Sequence, residues 1–158
     1  MSDAKFEDGG DRPLRLKALD VDDLTVLSSL CQDAVFPASQ MSWDRKARRF
    51  GVLLNRFRWE DAGNSRIGNR EVERVQSVLA IEDVTRVQSQ GVQPGDKDIV
   101  HALLSVAFED GAEGAGRGLR TLSGDGGIAV EVEALEVLLR DVTRPYIAPS
   151  RKAPTHQD

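Results

Sequence analysis

The sequence predicts an α+β fold that is mainly antiparallel β, with a bent sheet or small barrel, an N-terminal helix and a C-terminal capping helix. Apolar and polar residues alternate through much of the chain, and residues 100–108 carry the clearest period-two run. Connections of hairpin length, such as the glycine-rich residues 123–127, separate these runs. Helical spacing occurs only near the two ends of this series, so the pattern favours an antiparallel sheet over β-α-β units.

The first predicted elements are a short strand at 14–19 and an amphipathic helix. Asp20 is the expected N-cap, and Asp22 and Asp23 place carboxylates in the first turn, where the helix end is positive. An apolar stripe with a spacing of three to four residues follows, formed by Leu24, Leu27, Leu30, Cys31 and Ala34. Pro37 cannot lie inside a helix, so we expect the helix to end before it.

A β-hairpin is predicted next, with its turn at 44–48 and its second strand at 49–59. One face of that strand is apolar up to Leu54 and then continues with Arg56, while the apolar side chains move to the opposite face. We therefore expect a β-bulge, or a bend at a barrel corner, near Asn55.

The remaining pattern predicts strands at 75–87, 100–108, 119–122 and 128–132. A last helix is expected from Glu133 onward. Its apolar face would consist of Leu135, Leu138, Leu139 and Val142.

Length and composition fit one domain. The chain has 158 residues, of which 40% are hydrophobic and 30% charged, which is enough for a buried core. We expect a single domain at 13–144, with flexible tails at 1–12 and 145–158. The chain lacks a long apolar stretch and begins with a polar, acidic segment, so we expect no membrane span and a cytoplasmic location.

Cysteine and histidine are too scarce for a metal cage or a disulfide. Cys31 is the one cysteine, and the chain has two histidines. We therefore predict no metal and no other cofactor.

Charge is unevenly distributed along the chain. The formal net charge is −5, yet residues 45–74 contain nine basic and four acidic residues. The acidic total disfavours a nucleic-acid role for the whole protein, whereas a local anion-binding role remains open.

The basic hairpin region is the best functional signal in the sequence. Guanidinium groups suit carboxylates and phosphates, and tryptophan can stack on a ring or on an arginine. The candidate ligand- or partner-binding residues are Arg45, Lys46, Arg48, Arg49, Arg56, Arg58 and Trp59. The alternative is a solvated hairpin tip that is balanced by acids elsewhere.

Other chemistry has weaker support, and we predict no catalytic residue. Cys31 could act as a nucleophile beside His101, but its place on the apolar helix stripe favours a buried core thiol. Alternating glycines at 114–118 lack the strand-to-helix context of a phosphate loop and are interpreted as a turn. Asp33 is expected to be buried and paired with an arginine such as Arg56.

Two resemblances add to this interpretation. The strings LCQDAV at 30–35 and LNRFRWE at 54–60 resemble a small alphaproteobacterial family of unknown function, over most of 14–142. That resemblance implies a bacterial cytosolic domain and implies no activity. The stretch 80–142 also resembles the second half of pleckstrin-homology-like folds, which mostly host binding.

The sequence therefore predicts a non-enzymatic binding or adaptor domain for a protein partner or an anionic ligand. One alternative is an RNA- or nucleic-acid-associated protein that acts through 45–74. Another is a small enzyme without a familiar motif. An exposed edge strand would also permit a homodimer.

Overall fold

The computed structural model describes residues 13–59, 73–91, 100–109, 117–123, 126–143 and 146–147, with the backbone alone at 117–123 and 146–147. Within these residues the fold is a curled, mainly antiparallel sheet with one α-helix. The helix α1 spans Val21–Leu30, and a short 3₁₀ turn spans Ala38–Gln40. The strands are β1 (Arg15–Ala18), β2 (Ala34–Pro37), β3 (Met41–Asp44), β4 (Arg49–Phe57), β5 (Glu73–Ile81), β6 (Val84–Gln90), β7 (Val100–Glu109), β8 (Arg117–Ser123), β9 (Gly126–Val132), β10 (Val137–Asp141) and β11 (Tyr146–Ile147).

Helix α1 forms where the sequence predicts, but it ends at Leu30, so the predicted stripe is too long by its last member and Ala34 belongs to β2. The Asp20 carboxylate accepts a hydrogen bond from the backbone N–H of Asp23 at 2.8 Å, which caps the first turn. Leu24 and Leu27 are buried, and the helix packs against β1 and β7. Cys31 follows at the C-cap and is a buried free thiol, which confirms its predicted place in the core.

The strand order explains the curl of the sheet. Neighbours follow the order β1-β10-β5-β4-β2-β7-β8-β9-β6, with β3 added to β4 and β11 added to β5. β5 runs into β6 through a sharp bend at Asp83, whose φ of 57° lies in the left-handed region. β9 runs into β10 beside it, and Glu133 donates its backbone N–H to the Asp83 carbonyl at 3.0 Å. Two long bent segments thus wrap the sheet into a half-barrel.

The apolar core lies inside this curl. It joins the inward faces of the central strands to α1. Its fully buried members include Leu24, Leu27, Leu54, Leu79, Ile81, Val84, Val130 and Leu139. This burial stabilises the half-barrel, since each such side chain contributes about 1.5–3 kcal/mol when removed from water.

The predicted C-terminal helix is wrong. The segment forms β10, in which Val137, Leu139 and Asp141 are buried and the residues between them are more exposed. β10 pairs with β1 on one side and with β5 on the other. The helical spacing of the leucines is overridden because the backbone groups of both neighbouring strands require partners here.

The predicted bulge near Asn55 is also wrong. β4 and β5 pair without a register shift from Phe50 opposite Ile81 to Phe57 opposite Arg74. Arg56 therefore follows Leu54 on the inward face of the sheet and is fully buried. The apolar pattern breaks because a buried cation, Arg56, occupies a core position.

Several predictions fall on other parts of the chain. The glycines at 114 and 116 and the tail at 1–12 lie outside the described residues. The bounds of the domain stay a prediction, as does the pleckstrin-homology-like fold. In the part of the chain that the structure describes, no helix has the length and hydropathy that crossing a bilayer requires.

Candidate functional site

β4 divides the predicted binding residues into two groups. Its first and last residues, Arg49 and Phe57, are roughly 26 Å apart, at about 3.3 Å per residue. The two groups therefore cannot contact one compact ligand together. Arg45, Lys46, Arg48 and Arg49 lie at the hairpin end, and Arg56, Arg58 and Trp59 lie at the opposite end.

Arg56 is held in a buried polar network. It donates Nη2 to Oδ1 of Asp141 at 2.9 Å and Nε to Oγ of Ser77 at 3.0 Å. Ser77 donates its hydroxyl to the same Asp141 oxygen at 2.7 Å. The other oxygen, Oδ2, accepts the backbone N–H of Leu14 at 2.8 Å. Arg56 is 0% exposed, so it stabilises the fold and is not accessible to a partner.

The neighbouring side chains also connect parts of the fold. Arg58 is 5% exposed. Trp59 donates its indole N–H to the carbonyl of Gln32 at 2.8 Å and lies 5.6 Å from the Phe57 ring, centroid to centroid. The Arg74 guanidinium lies 4.1 Å from the centroid of the same Phe57 ring. The Trp59 bond connects the end of β4 to the segment after α1, and the Arg74 contact connects it to β5.

The hairpin end is built differently, with its cations at the surface. The Asp44 carboxylate accepts the backbone N–H of Ala47 at 3.0 Å, which closes the turn. Arg48 has a φ of 58° and returns the chain into β4. Arg45 and Lys46 lie exposed at the tip. The predicted hairpin is therefore confirmed.

An open groove of about 640 Å³ lies beside this hairpin. Trp43, Arg45 and Arg48 line one side, and residues 84–87 of β6 line the other. The backbone N–H of Val84 donates to the Arg48 carbonyl at 2.9 Å and fixes the two sides at one end. The groove thus gathers three arginines, since Arg86 comes from β6.

Nearby acids balance part of this charge without lining the groove. Arg48 forms an ion pair with Glu133 at 2.5 Å, whereas Arg86 lies 3.9 Å from Glu131. The hydrogen bond and the charge of Glu133 raise the pKa of Arg48 above its ordinary value. No ion pair to Arg45 is found within the described residues. The described side chains that line the groove thus include three arginines and no acid.

Comparison with known proteins identifies a family. The family described as a protein of unknown function, DUF2948, matches residues 14–156. The chain belongs to the DUF2948 family. This confirms the predicted membership in a family of unknown function. No curated protein and no solved structure shows significant similarity to the chain.

Of the seven described residues that line the groove in this DUF2948 protein, the sequence predicted Arg45 and Arg48 as binding residues and missed the other five. Trp43 and Arg86 are 43 residues apart, and the pairing of β4 with β5 brings their segments together. The one available signal was an arginine within the strand that the sequence predicts at 75–87. Arg49, by contrast, was predicted as a binding residue and pairs with Glu82 at 2.7 Å, where that hydrogen bond and charge raise its pKa.

The other candidate groups lie elsewhere in the protein. Cys31 is fully buried, and His101 is 8% exposed with its ring 5.7 Å from that of Phe36. Asp33, which the sequence predicts to be buried, is half-buried and has a φ of 65°. Its pairing with an arginine such as Arg56 stays a prediction. Among the described residues, no cluster of three or more histidine, cysteine or acidic side chains could hold a metal ion.

Proposed function

We propose that this DUF2948 protein is a non-enzymatic binding domain, and that the groove beside the β3–β4 hairpin receives an anionic part of its partner. The observation that supports this most directly is the convergence of Arg45, Arg48 and Arg86 on one open groove. They come from two separate segments of a chain whose net charge is −5. A local cationic site on an acidic protein steers anionic partners to one place.

The groove offers chemistry that suits carboxylates and phosphates. Each guanidinium can donate two parallel hydrogen bonds to such a group. Trp43, Val84 and Val87 add apolar surface beside these charges. The volume of about 640 Å³ lies in the range of ligand sites, and the open shape suits a segment of a larger partner.

The nucleic-acid alternative has less support from the arrangement of the basic segment 45–74. Arg56 and Arg58 are buried, and Arg74 stacks on Phe57. Residues 60–72 lie outside the described residues. The described cations of this segment therefore do not form one continuous basic surface, and RNA is best treated as a competing probe.

Tryptophan fluorescence can test this proposal. The chain has two tryptophans, so the Trp59→Phe variant reports on Trp43 alone. We expect polyglutamate to change its emission, while uncharged polyglutamine leaves it unchanged. Reversing Arg45 and Arg86 to glutamate should weaken polyglutamate binding by about tenfold or more.

The matched control reverses two exposed arginines far from the groove, Arg15 and Arg140, which lie opposite each other on β1 and β10. This control carries the same charge change and should bind polyglutamate like the parent. Equal losses in both double variants would show that only net charge matters. No response to polyglutamate would reject the groove as an anion site, and stronger binding of single-stranded RNA with the same arginine dependence would favour the alternative.

A further inference from the structure

β6 begins beside the β3–β4 hairpin and extends beyond it. β4 begins at Arg49, and the last backbone bond on that side is donated by Val84 to the carbonyl of Arg48. Beyond Val84, β6 continues to Gln90. Its strand partner there is β9, and β6 is the last strand in the order of the sheet. Among the described residues, the edge of β6 on the hairpin side is thus unpaired from residue 85 onward.

The cationic groove lies along this same edge. Residues 84–87 form one of its sides, and the hairpin tip forms the other. An unpaired edge presents backbone N–H and C=O groups that can pair with an extended peptide. Residues 85–90 are exposed except for Val87, which is half-buried. A peptide that lies in the groove would therefore meet an edge of β6 that no described strand pairs.

We propose that the occupant of the groove is an extended acidic segment of a partner protein, which adds as a strand to the free edge of β6. This inference rests on the proposed function and specifies the partner. Backbone pairing with β6 would supply affinity, and the arginines would select acidic side chains at alternate positions.

Arg86 can leave its present partner, Glu131, and bind an acidic side chain of the added strand. Its contact with Glu131 is 3.9 Å long, and the two side chains are 60% and 42% exposed. Such solvent-exposed pairs contribute little, so Arg86 can turn to an incoming carboxylate at small cost. Arg45, at the opposite side of the groove, has no ion pair within the described residues. The two cations can thus hold acidic side chains on both sides of an added strand.

Charge argues against a second copy of the chain as the occupant. Pairing of two β6 edges would bring the same cationic groove of each copy together. The like charges of Arg86 and Arg45 would then face one another, which disfavours the contact. An acidic peptide removes this repulsion, so complementarity favours a different protein.

The test uses the full chain and a short synthetic peptide that alternates valine and glutamate. The matched control peptide has the same side chains, but every backbone nitrogen is N-methylated, so it cannot donate backbone hydrogen bonds to β6 from either edge. We expect the control peptide to bind at least about tenfold more weakly, since it loses several backbone hydrogen bonds. Amide hydrogen exchange at residues 85–90 should slow when the parent peptide binds. Arg86→Glu should weaken binding, whereas Arg140→Glu, a reversal on β10, should not.

The outcomes separate this inference from the proposed function. Equal binding of both peptides, with unchanged exchange at 85–90, would overturn strand addition while the groove remains an anion site. Failure of both the peptide and polyglutamate to bind would overturn both proposals. Protection of 85–90 in the absence of peptide, together with a dimer in sedimentation, would identify a second copy and overturn the acidic partner. Stronger binding of single-stranded RNA at the groove would also overturn it.

Discussion

Asp141 accepts a hydrogen bond from Nη2 of Arg56 at 2.9 Å, and the two side chains are 1% and 0% exposed. This buried ion pair joins β10 to β4, and Ser77 of β5 donates to the same carboxylate oxygen. It places the charge of an arginine from the LNRFRWE string inside the protein. An arginine with the sequence context of a binding residue is therefore part of the core.

The first prediction concerns this pair. Asp141→Asn should lower the free energy of unfolding by about 3–5 kcal/mol, because it leaves the Arg56 charge buried without its counter-ion. The new amide N–H₂ could also face the backbone N–H of Leu14, which now donates to Oδ2. Urea denaturation measures the change, with Asp22→Asn, an exposed carboxylate in the first turn of α1, as the control.

Removing both charges distinguishes an ion pair from a general packing effect. The double variant Arg56→Met, Asp141→Leu should cost less than Asp141→Asn alone, because no unpaired charge remains in the core. A double variant that is less stable than Asp141→Asn would show that shape, rather than charge, determines the result.

Much of the fold follows from local signals. The Asp20 cap and the leucine stripe of α1, the hairpin turn at Asp44 and the alternation in β7 are all readable within a few residues. The short strand β2 was not predicted, because its four residues are too few to show a period. Its pairing with β4 and β7 settles its structure.

The wrong predictions have a common cause, because each depends on contacts between residues that are far apart in the sequence. β10 is a strand because it fills the space between β1 and β5, and its leucines alone favour a helix. The role of Arg56 depends on Asp141, which is 85 residues away in sequence. Likewise, the groove needs the bend between β5 and β6, which brings Arg86 towards the hairpin. A single sequence contains these residues but does not show which of them meet.

The second prediction concerns a close approach at the far end of β6. A Cβ at Gly126 would lie 2.0 Å from the carbonyl oxygen of Gln90, so Gly126→Ala must displace backbone. We expect a loss of about 1–3 kcal/mol and faster amide exchange at the end of β6. At Gly51 a Cβ would lie 3.7 Å from the nearest backbone oxygen, an ordinary contact. Gly51→Ala is thus the control, and equal exchange in β6 of both variants would contradict the prediction.

The third prediction concerns pH. Glu133 raises the pKa of Arg48 above its ordinary value. The guanidinium therefore stays charged at every pH below that ordinary value and loses its charge only when the pH passes the raised pKa. Binding of polyglutamate should therefore stay constant from about pH 6 to about pH 9.

Replacing one cation with a titratable residue should create a pH dependence. In Arg45→His the imidazole is charged below about pH 6.5, so affinity should fall by about twofold to fivefold between pH 5.5 and pH 8. Isothermal titration at both values, with the parent chain as reference, measures this change. An equal fall in the parent would show that another group controls binding.

The most direct test of the central claim is a map of polyglutamate binding on the full chain of 17.3 kDa by NMR chemical shifts of backbone amides. We predict that the largest changes lie at residues 43–48 and 84–87, where hairpin and β6 line the groove, and that they vanish when Arg45 and Arg86 are reversed to glutamate. Chemical-shift changes centred on Arg58 and Trp59 instead, or no changes at all, would contradict the proposal that the groove binds anionic partners.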